Sequence, residues 1–121
     1  MSEPILIVED SKDLLEVWQT LFKMTTDYDV VGCQTIEKAR RVVSEGFQPK
    51  VVLTDYYLGD GNGLDLISEF KKALPDTRYV IITGKDLRFI KESNVEAADT
   101  CVLQKPVNFK DLCAKVSDYL H

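Results

Sequence analysis

Short apolar runs along the chain predict β-strands. Residues 5–8, 51–54 and 79–83 are nearly continuous apolar and β-branched runs, which is typical of strands covered on both faces. Residues 28–33 mix an acidic residue and a glycine into such a run and suit an edge strand, while residues 101–104 are a shorter candidate for the last strand. The pattern therefore predicts five strands, with the first three runs at the centre of the sheet.

Between these runs, apolar residues recur at spacings of three and four and predict amphipathic helices. Thr35 and Asn108 are the predicted N-caps of the second and the last helix, and Gly46 and Pro75 end the second and the third. A further helix is predicted over residues 85–93. The predicted inward-facing residues of the four helices with clear stripes are Leu14, Leu15, Trp18, Leu21, Phe22, Ile36, Ala39, Val43, Ile67, Phe70, Leu74, Phe109, Leu112, Cys113, Val116 and Leu120.

The alternation of strands and helices predicts a parallel sheet with right-handed crossovers and helices on both faces. We expect an α/β fold in which a five-stranded parallel sheet is doubly wound as (βα)5, flavodoxin-like, with strand order 2-1-3-4-5. Residues 1–121 are expected to form one domain. In such folds the functional site lies beyond the carboxyl ends of the central strands.

Composition and charge exclude several classes of protein. The chain is 45% hydrophobic and 29% charged, typical of a globular domain, and no apolar run is long enough for a bilayer span or a secretion signal. We therefore expect a cytoplasmic protein without a membrane partner. The net charge of −5 disfavours direct binding to nucleic acid. Cys33, Cys101 and Cys113 lack metal-type spacing and are interpreted as buried free thiols.

Polar residues stand at the predicted carboxyl ends of the strands. Glu9 and Asp10 follow the first strand, Asp55 follows the third, Thr83 ends the fourth and Lys105 follows the fifth. Three carboxylates held close together repel one another and favour a hard divalent cation, and oxygen-only ligands indicate Mg²⁺. An ionised Asp carboxylate beside Mg²⁺ can attack phosphorus to form an acyl phosphate.

Four motifs in order resemble bacterial two-component response-regulator receiver domains: residues 5–10 (ILIVED), 53–55 (LTD), 81–84 (IITG) and 105–106 (KP). The resemblance spans essentially the whole chain. It implies that Asp55 accepts a phosphoryl group from a sensor histidine kinase or phosphotransfer protein, and that this switches a protein-binding surface. It also implies that the protein catalyses only its own phosphorylation and dephosphorylation.

The resemblance further implies a role for each site residue. Asp10 and Asp55 would bind Mg²⁺ directly, Glu9 would bind it through water, and the backbone carbonyl of Tyr57 would complete the protein ligands. The Tyr57 side chain would overlook the phosphoryl group.

Two further roles and two departures concern the switch. Thr83 would donate a hydrogen bond to the phosphoryl group, and Lys105 would form an ion pair with it. The Lys105–Pro106 peptide bond would be cis. Val102 stands where receivers often have Tyr or Phe, which puts the aromatic relay of the family in doubt. Gly59 stands where Pro is common, so a softer loop is expected.

The expected output is a protein-binding surface. In this family it combines the fourth helix, here predicted over residues 85–93, with the fifth strand and the fifth and last helix. Lys91, Gln104 and Lys110 would lie on it. His121 is the only histidine of the chain, so the phosphodonor would be a residue of another protein.

Simpler interpretations stay open for each residue. Asp55 could cap a turn, Lys105 could be a solvated loop residue, and Thr83 could be an ordinary strand residue. At the level of function, a phosphorylation-independent adaptor is the main alternative. A small phosphohydrolase with an aspartyl nucleophile is less favoured because Tyr57 occupies the position of the second carboxylate that it would need.

Overall fold

One parallel sheet organises the chain. The computed structural model describes residues 2–84 and 99–121. The five strands of the sheet are β1 (Pro4–Val8), β2 (Asp29–Cys33), β3 (Val51–Asp55), β4 (Arg78–Thr83) and β5 (Thr100–Gln104). Within the described residues the helices are α1 (Lys12–Thr25), α2 (Ile36–Ser44), α3 (Gly63–Ala73) and α4 (Phe109–Leu120). The predicted helix over residues 85–93, and Lys91 with it, lie outside the described residues.

The sheet has the order β2-β1-β3-β4-β5, and every neighbouring pair is parallel. The five-stranded α/β fold and the order 2-1-3-4-5 are therefore confirmed. β1 and β3 are adjacent although α1, β2 and α2 lie between them in the chain, so the winding direction changes at this pair. This change brings the carboxyl ends of the two strands to the crevice where such folds place their sites.

Alternate residues of each strand point to opposite faces of the sheet, and both faces are covered. One hydrophobic cluster joins the sheet to α2 and α3, through Leu6, Val8, Val52, Tyr79, Ile81 and Val102 of the strands and Ile36, Ala39, Leu66, Ile67 and Phe70 of the helices. The other joins it to α1 and α4, through Ile5, Ile7, Val51, Leu53, Val80 and Ile82 of the strands and Leu15, Trp18, Phe22, Leu112 and Val116 of the helices. Burial on both faces explains why the central strands are apolar at consecutive positions.

The predicted helix boundaries agree with the structure. The hydroxyl of Thr35 accepts a hydrogen bond from the amide of Lys38 at 3.0 Å, and the side chain of Asn108 accepts one from the amide of Asp111 at 2.8 Å. Gly46 follows the end of α2 with φ +109°, a conformation that favours glycine. These local signals therefore placed both ends of α2 and the start of α4 correctly.

One local element was not predicted. Directly after β3, Tyr57–Leu58 pairs antiparallel with Gly61–Asn62, and Gly59 and Asp60 form the turn between them. We call residues 57–62 the acceptor hairpin. It leads into α3, whose N-cap is Asn62.

The cysteine prediction is only partly correct. All three thiols are free, and Cys33 is buried, but Cys101 and Cys113 are partly exposed. Trp18 is buried in the core, as its place on the apolar stripe of α1 predicts. Among the described residues no helix is long and apolar enough to cross a membrane.

Candidate functional site

Three carboxylates meet at the carboxyl end of the sheet. Glu9 and Asp10 follow β1 directly and Asp55 is the last residue of β3, and one carboxylate oxygen from each lies within 4.8 Å of the others. Glu9 is 4% exposed and Asp55 is 5% exposed, whereas Asp10 is open to solvent. The structure thus brings together the three acidic residues that the sequence singled out.

Burial, together with crowding, raises the pKa values of Glu9 and Asp10. Burial of the Glu9 carboxyl, and then its hydrogen bond with Asp55, raise the pKa of Glu9 from 4.5 to about 6. Burial, followed by hydrogen bonding and repulsion from Glu9, raises the pKa of Asp10. The amide of Ser11 donates to the Glu9 carboxylate at 3.1 Å, which opposes the shift in the pKa of Glu9. For both groups burial is the largest cause of the raised pKa, and the neighbouring carboxylate adds to it.

Lys105 supplies one positive charge to the cluster. Its ammonium nitrogen lies 3.2 Å from a carboxylate oxygen of Asp55. The Lys105 amide donates to the carbonyl of Thr83 at 2.7 Å, which ties the end of β5 to the end of β4, and the Lys105–Pro106 bond is cis. Among residues 2–84 and 99–121, the ion pair to this cluster comes from Lys105, and one ammonium against three carboxylates favours a further cation.

The donor set fits a small hard cation. Ligands of an octahedral Mg²⁺ ion at about 2.1 Å lie about 3 Å apart when adjacent and about 4 Å apart when opposite. The three oxygens all lie within 4.8 Å of one another, close enough together for one such ion and its waters to contact them all. Mg²⁺ accepts carboxylates and waters together, so the carboxylates of Glu9, Asp10 and Asp55 form a suitable donor set.

Thr83 is the last residue of β4 and Tyr57 is the first residue of the acceptor hairpin, and the environments of the two differ. Thr83 is buried at the end of β4, where it interacts with other residues of the protein. Tyr57 is 52% exposed, and its ring packs edge-on against Tyr56 with 4.7 Å between ring centroids. The phenol of Tyr57 therefore lies at the surface two residues beyond Asp55, while Tyr56 is buried.

The two departures from the family pattern have distinct surroundings. Val102 is buried and belongs to the core cluster on the α2 and α3 face, so it is a packing residue in this structure. Gly59 has open space around it, because a Cβ added there would have nothing within 4 Å beyond its own chain neighbours. Neither residue contributes a polar group to the cluster.

Sequence reasoning missed two residues that shape the acceptor hairpin. A Cβ at Gly63 would lie 2.4 Å from the carbonyl oxygen of Asp55, so only glycine permits this close approach. Asp60 hydrogen-bonds to the backbone at the start of α2. A glycine and an acidic residue in a turn have ordinary local explanations, so the sequence carried no specific signal for either.

Comparison with known proteins identifies the family. Residues 5–117 match the family model described as the response regulator receiver domain. The chain belongs to this family. Receiver domains act in the signal transduction of two-component systems, and those of response regulators interact with histidine kinases. The resemblance inferred from the four motifs is confirmed.

Curated relatives are longer than this chain. Over 108 residues the chain is 31% identical to the transcriptional regulatory protein CitB of Klebsiella pneumoniae, covering 88% of this chain and 46% of that protein. Over 118 residues it is 28% identical to the DNA-binding transcriptional regulator NtrC of Azospirillum brasilense, covering 97% of this chain and 24% of that protein. The chain thus spans less than half the length of these two relatives, and the absence of nucleic-acid binding stays a prediction.

Solved receiver domains have the same fold. The receiver domain protein (CheY-like) of Methanospirillum hungatei JF-1 has a TM-score of 0.86 at 26% identity, with 99% of this chain and 94% of that chain covered. A receiver domain protein of Clostridium thermocellum has a TM-score of 0.85 at 26% identity, covering 98% of this chain and 94% of that chain. The likeness extends over nearly the whole of all three chains.

Proposed function

We propose that this receiver domain accepts a phosphoryl group on Asp55 in a Mg²⁺-dependent transfer from a phosphohistidine of a sensor histidine kinase or phosphotransfer protein. The observation that carries the proposal is the meeting of Glu9, Asp10 and Asp55 within 4.8 Å, with Lys105 at 3.2 Å from Asp55. Residues 1–121 would act as one receiver domain. Each protein molecule accepts one phosphoryl group on Asp55, so the protein catalyses only its own phosphorylation and dephosphorylation.

The transfer makes one bond and breaks another. A carboxylate oxygen of Asp55 attacks phosphorus, the bond between phosphorus and the donor imidazole nitrogen breaks, and its electron pair leaves with the imidazole. The product is an acyl phosphate on Asp55. Lys105 pairs with the phosphoryl oxygens, and the hydroxyl of Thr83 donates a hydrogen bond to one of them.

Glu9, Asp10, Asp55 and the Tyr57 carbonyl would hold Mg²⁺. Bound there, the ion neutralises charge on the carboxylates and on the transferred phosphoryl group. Asp10 and Asp55 would be direct ligands in this proposal and Glu9 would act through water, as the resemblance to the family implies. Mg²⁺ binding would relieve the repulsion among these carboxylates, and this relief would contribute favourably to the free energy of binding.

The switch follows from the change in charge at the carboxyl ends of the strands. A phosphoryl group on Asp55 recruits Thr83 and Lys105, which lie at the ends of β4 and β5, and so shifts an existing equilibrium between two surface conformations. Gln104 and Lys110 are exposed and belong to the proposed binding surface. The partner on this surface is a protein, and the domain works in the cytoplasm without contacting a membrane.

A phosphotransfer assay tests this proposal. Purified kinases with labelled phosphohistidine, or a small-molecule phosphodonor, should label the wild-type chain in the presence of Mg²⁺ and leave Asp55→Asn unlabelled. Asp76→Asn is the matched control because Asp76 is exposed at the opposite end of the sheet, just before β4. Labelling of Asp55→Asn at the wild-type rate, or no labelling of the wild type by any donor, would refute the proposal.

A phosphorylation-independent adaptor is the second candidate, favoured by the burial of Val102 in place of a mobile aromatic ring. The two candidates differ in one measurement. If Asp55→Asn keeps wild-type affinity for the downstream partner and wild-type output in cells, the adaptor is correct.

A further inference from the structure

The start of helix α2 is capped by a residue far away in the sequence. The two carboxylate oxygens of Asp60 accept hydrogen bonds from the amides of Ile36 at 3.0 Å and Glu37 at 3.2 Å. The next amide, that of Lys38, donates to the hydroxyl of Thr35. Asp60 and Thr35 thus share the exposed N–H groups with which every helix begins.

This contact fastens the tip of the acceptor hairpin to α2. Asp60 lies in the turn of the hairpin, and the neighbouring Gly61 is so close to Ile36 that a Cβ at Gly61 would lie 2.8 Å from the Ile36 side chain. The favourable electrostatics of a carboxylate at a helix N-terminus adds to the two hydrogen bonds. The hairpin tip is therefore held by charge, hydrogen bonds and close packing.

The base of the same hairpin is held by the sheet. The amide of Tyr56 donates to the carbonyl of Ile82 at 2.9 Å, and the amide of Gly63 donates to the carbonyl of Tyr56 at 2.7 Å. Asp55 and Tyr57 lie on either side of this anchor. With Asp60 at the tip, the segment that carries both residues is fixed at two ends.

We propose that Asp60 is a positioning residue, which holds the acceptor hairpin against α2 and thereby sets the place of the Tyr57 carbonyl relative to Asp55. The inference rests on the proposed function in one respect, namely that this carbonyl is a Mg²⁺ ligand. Gly59 leaves the hairpin turn without the rigidity of a proline, so the carboxylate of Asp60 supplies the constraint from outside the hairpin.

The test compares two variants that weaken the same helix cap. Asp60→Ala removes the acceptors for Ile36 and Glu37 and releases the hairpin, whereas Thr35→Ala removes the acceptor for Lys38 and leaves the hairpin contact intact. Both variants should lower the urea midpoint of unfolding. Only Asp60→Ala should raise the Kd for Mg²⁺, by about tenfold, as is typical when a residue that orients a metal ligand is lost.

Two further measurements separate positioning from general destabilisation. In the metal-free protein, the amides of Leu58 and Gly61 should exchange hydrogen faster in Asp60→Ala and at the wild-type rate in Thr35→Ala. Asp60→Asn keeps one acceptor oxygen, so its Mg²⁺ affinity should lie between those of the wild type and Asp60→Ala. Titration with MgCl₂ followed by Trp18 fluorescence measures the affinity, because Trp18 lines a small cavity together with Glu9 and Asp55.

The outcomes are distinguishable. Equal Mg²⁺ affinity in the wild type and Asp60→Ala, or equal loss of affinity in Asp60→Ala and Thr35→Ala, would overturn the inference while the proposed function stands. Absence of Mg²⁺ binding by the wild type would overturn the proposed function. In that case the exchange rates of Leu58 and Gly61 alone decide whether Asp60 holds the hairpin.

Discussion

At the scale of single residues, the chemistry of the site comes from carboxylates placed in an unfavourable environment. Glu9 is buried beside Asp55, and this burial raises its pKa to about 6. The ionised Glu9 carboxylate lowers the free energy of unfolding of the metal-free protein, and a cation bound beside it would offset this loss. Under the proposed function, Glu9 lowers the stability of the metal-free protein and raises its affinity for Mg²⁺.

The first prediction concerns Glu9 and pH. Between pH 4.5 and about 6 the folded metal-free protein holds a proton that the unfolded chain releases, so the free energy of unfolding falls as the pH rises through this interval. Glu9→Gln removes the penalty and should stabilise the metal-free protein by about 2 kcal/mol at pH 7.5, with little effect at pH 4.5. Urea unfolding in EDTA at the two pH values measures this.

A matched variant tests the cause. Glu16→Gln removes an exposed carboxylate of α1 and should change the stability by less than about 0.5 kcal/mol at either pH. Equal stabilisation by both variants would show that net charge, rather than burial of Glu9, is responsible.

The second prediction concerns Tyr57, whose half-exposed phenol lies two residues beyond Asp55. We expect this ring to hinder the approach of water to the phosphoryl group. Tyr57→Ala should therefore shorten the lifetime of phospho-Asp55, while Tyr57→Phe should keep the wild-type lifetime because it retains the ring. Loss of label over time after removal of the donor measures the lifetime, and identical decay in all three proteins would contradict the expectation.

At the scale of elements, the junction between β3 and α3 sets the geometry around Asp55. α3 begins at Gly63. The backbone of Gly63 lies so close to the Asp55 carbonyl oxygen that a Cβ there would be 2.4 Å from it. The acceptor hairpin between the two elements is held by β4 at its base and by α2 at its tip. Contacts with α2, α3 and β4 thus fix the backbone that follows Asp55.

The third prediction tests this junction. Gly63→Ala puts a Cβ 2.4 Å from the Asp55 carbonyl oxygen, so the backbone must shift, and a loss of about 1–3 kcal/mol in the free energy of unfolding is expected together with weaker Mg²⁺ binding. Gly59→Ala is the control, because nothing beyond its chain neighbours lies within 4 Å of a Cβ there. Urea unfolding and Mg²⁺ titration of both variants provide the comparison, and equal behaviour would argue against a steric role for Gly63.

At the scale of the whole molecule, the parallel register connects the site to distant surfaces. Thr83 lies opposite Gln104 in the sheet, and the Lys105 amide donates to the Thr83 carbonyl. A group that recruits Thr83 and Lys105 therefore acts on both β4 and β5. The adjoining α4 begins four residues after Lys105, which extends this connection to the proposed binding surface.

The fourth prediction concerns this connection. Beryllofluoride with Mg²⁺ imitates a phosphoryl group on a carboxylate and should shift the amide resonances of Thr83, Gln104 and Lys110 as well as those near Asp55. Asp55→Asn, which lacks the acceptor carboxylate, should show none of these shifts. Shifts confined to the acceptor hairpin of the wild type would contradict a switch and would favour the adaptor.

Much of this protein was determined by the sequence alone. The strands, helix caps and helix ends follow from periodicity and from local signals such as Thr35, Gly46 and Asn108, because these act over a few residues of chain. The predicted sheet order placed Glu9, Asp10, Asp55, Thr83 and Lys105 at one edge, because the carboxyl ends of parallel strands share an edge.

Only the tertiary structure decided which groups touch. The pairing of Asp60 with the start of α2 joins residues 24 positions apart, and the close approach of Gly63 to Asp55 depends on how α3 packs after the acceptor hairpin. Such contacts depend on the angles at which helices meet the sheet, and no local pattern encodes those angles. The pKa of Glu9 belongs to the same class, because burial arises only when the surrounding elements have packed.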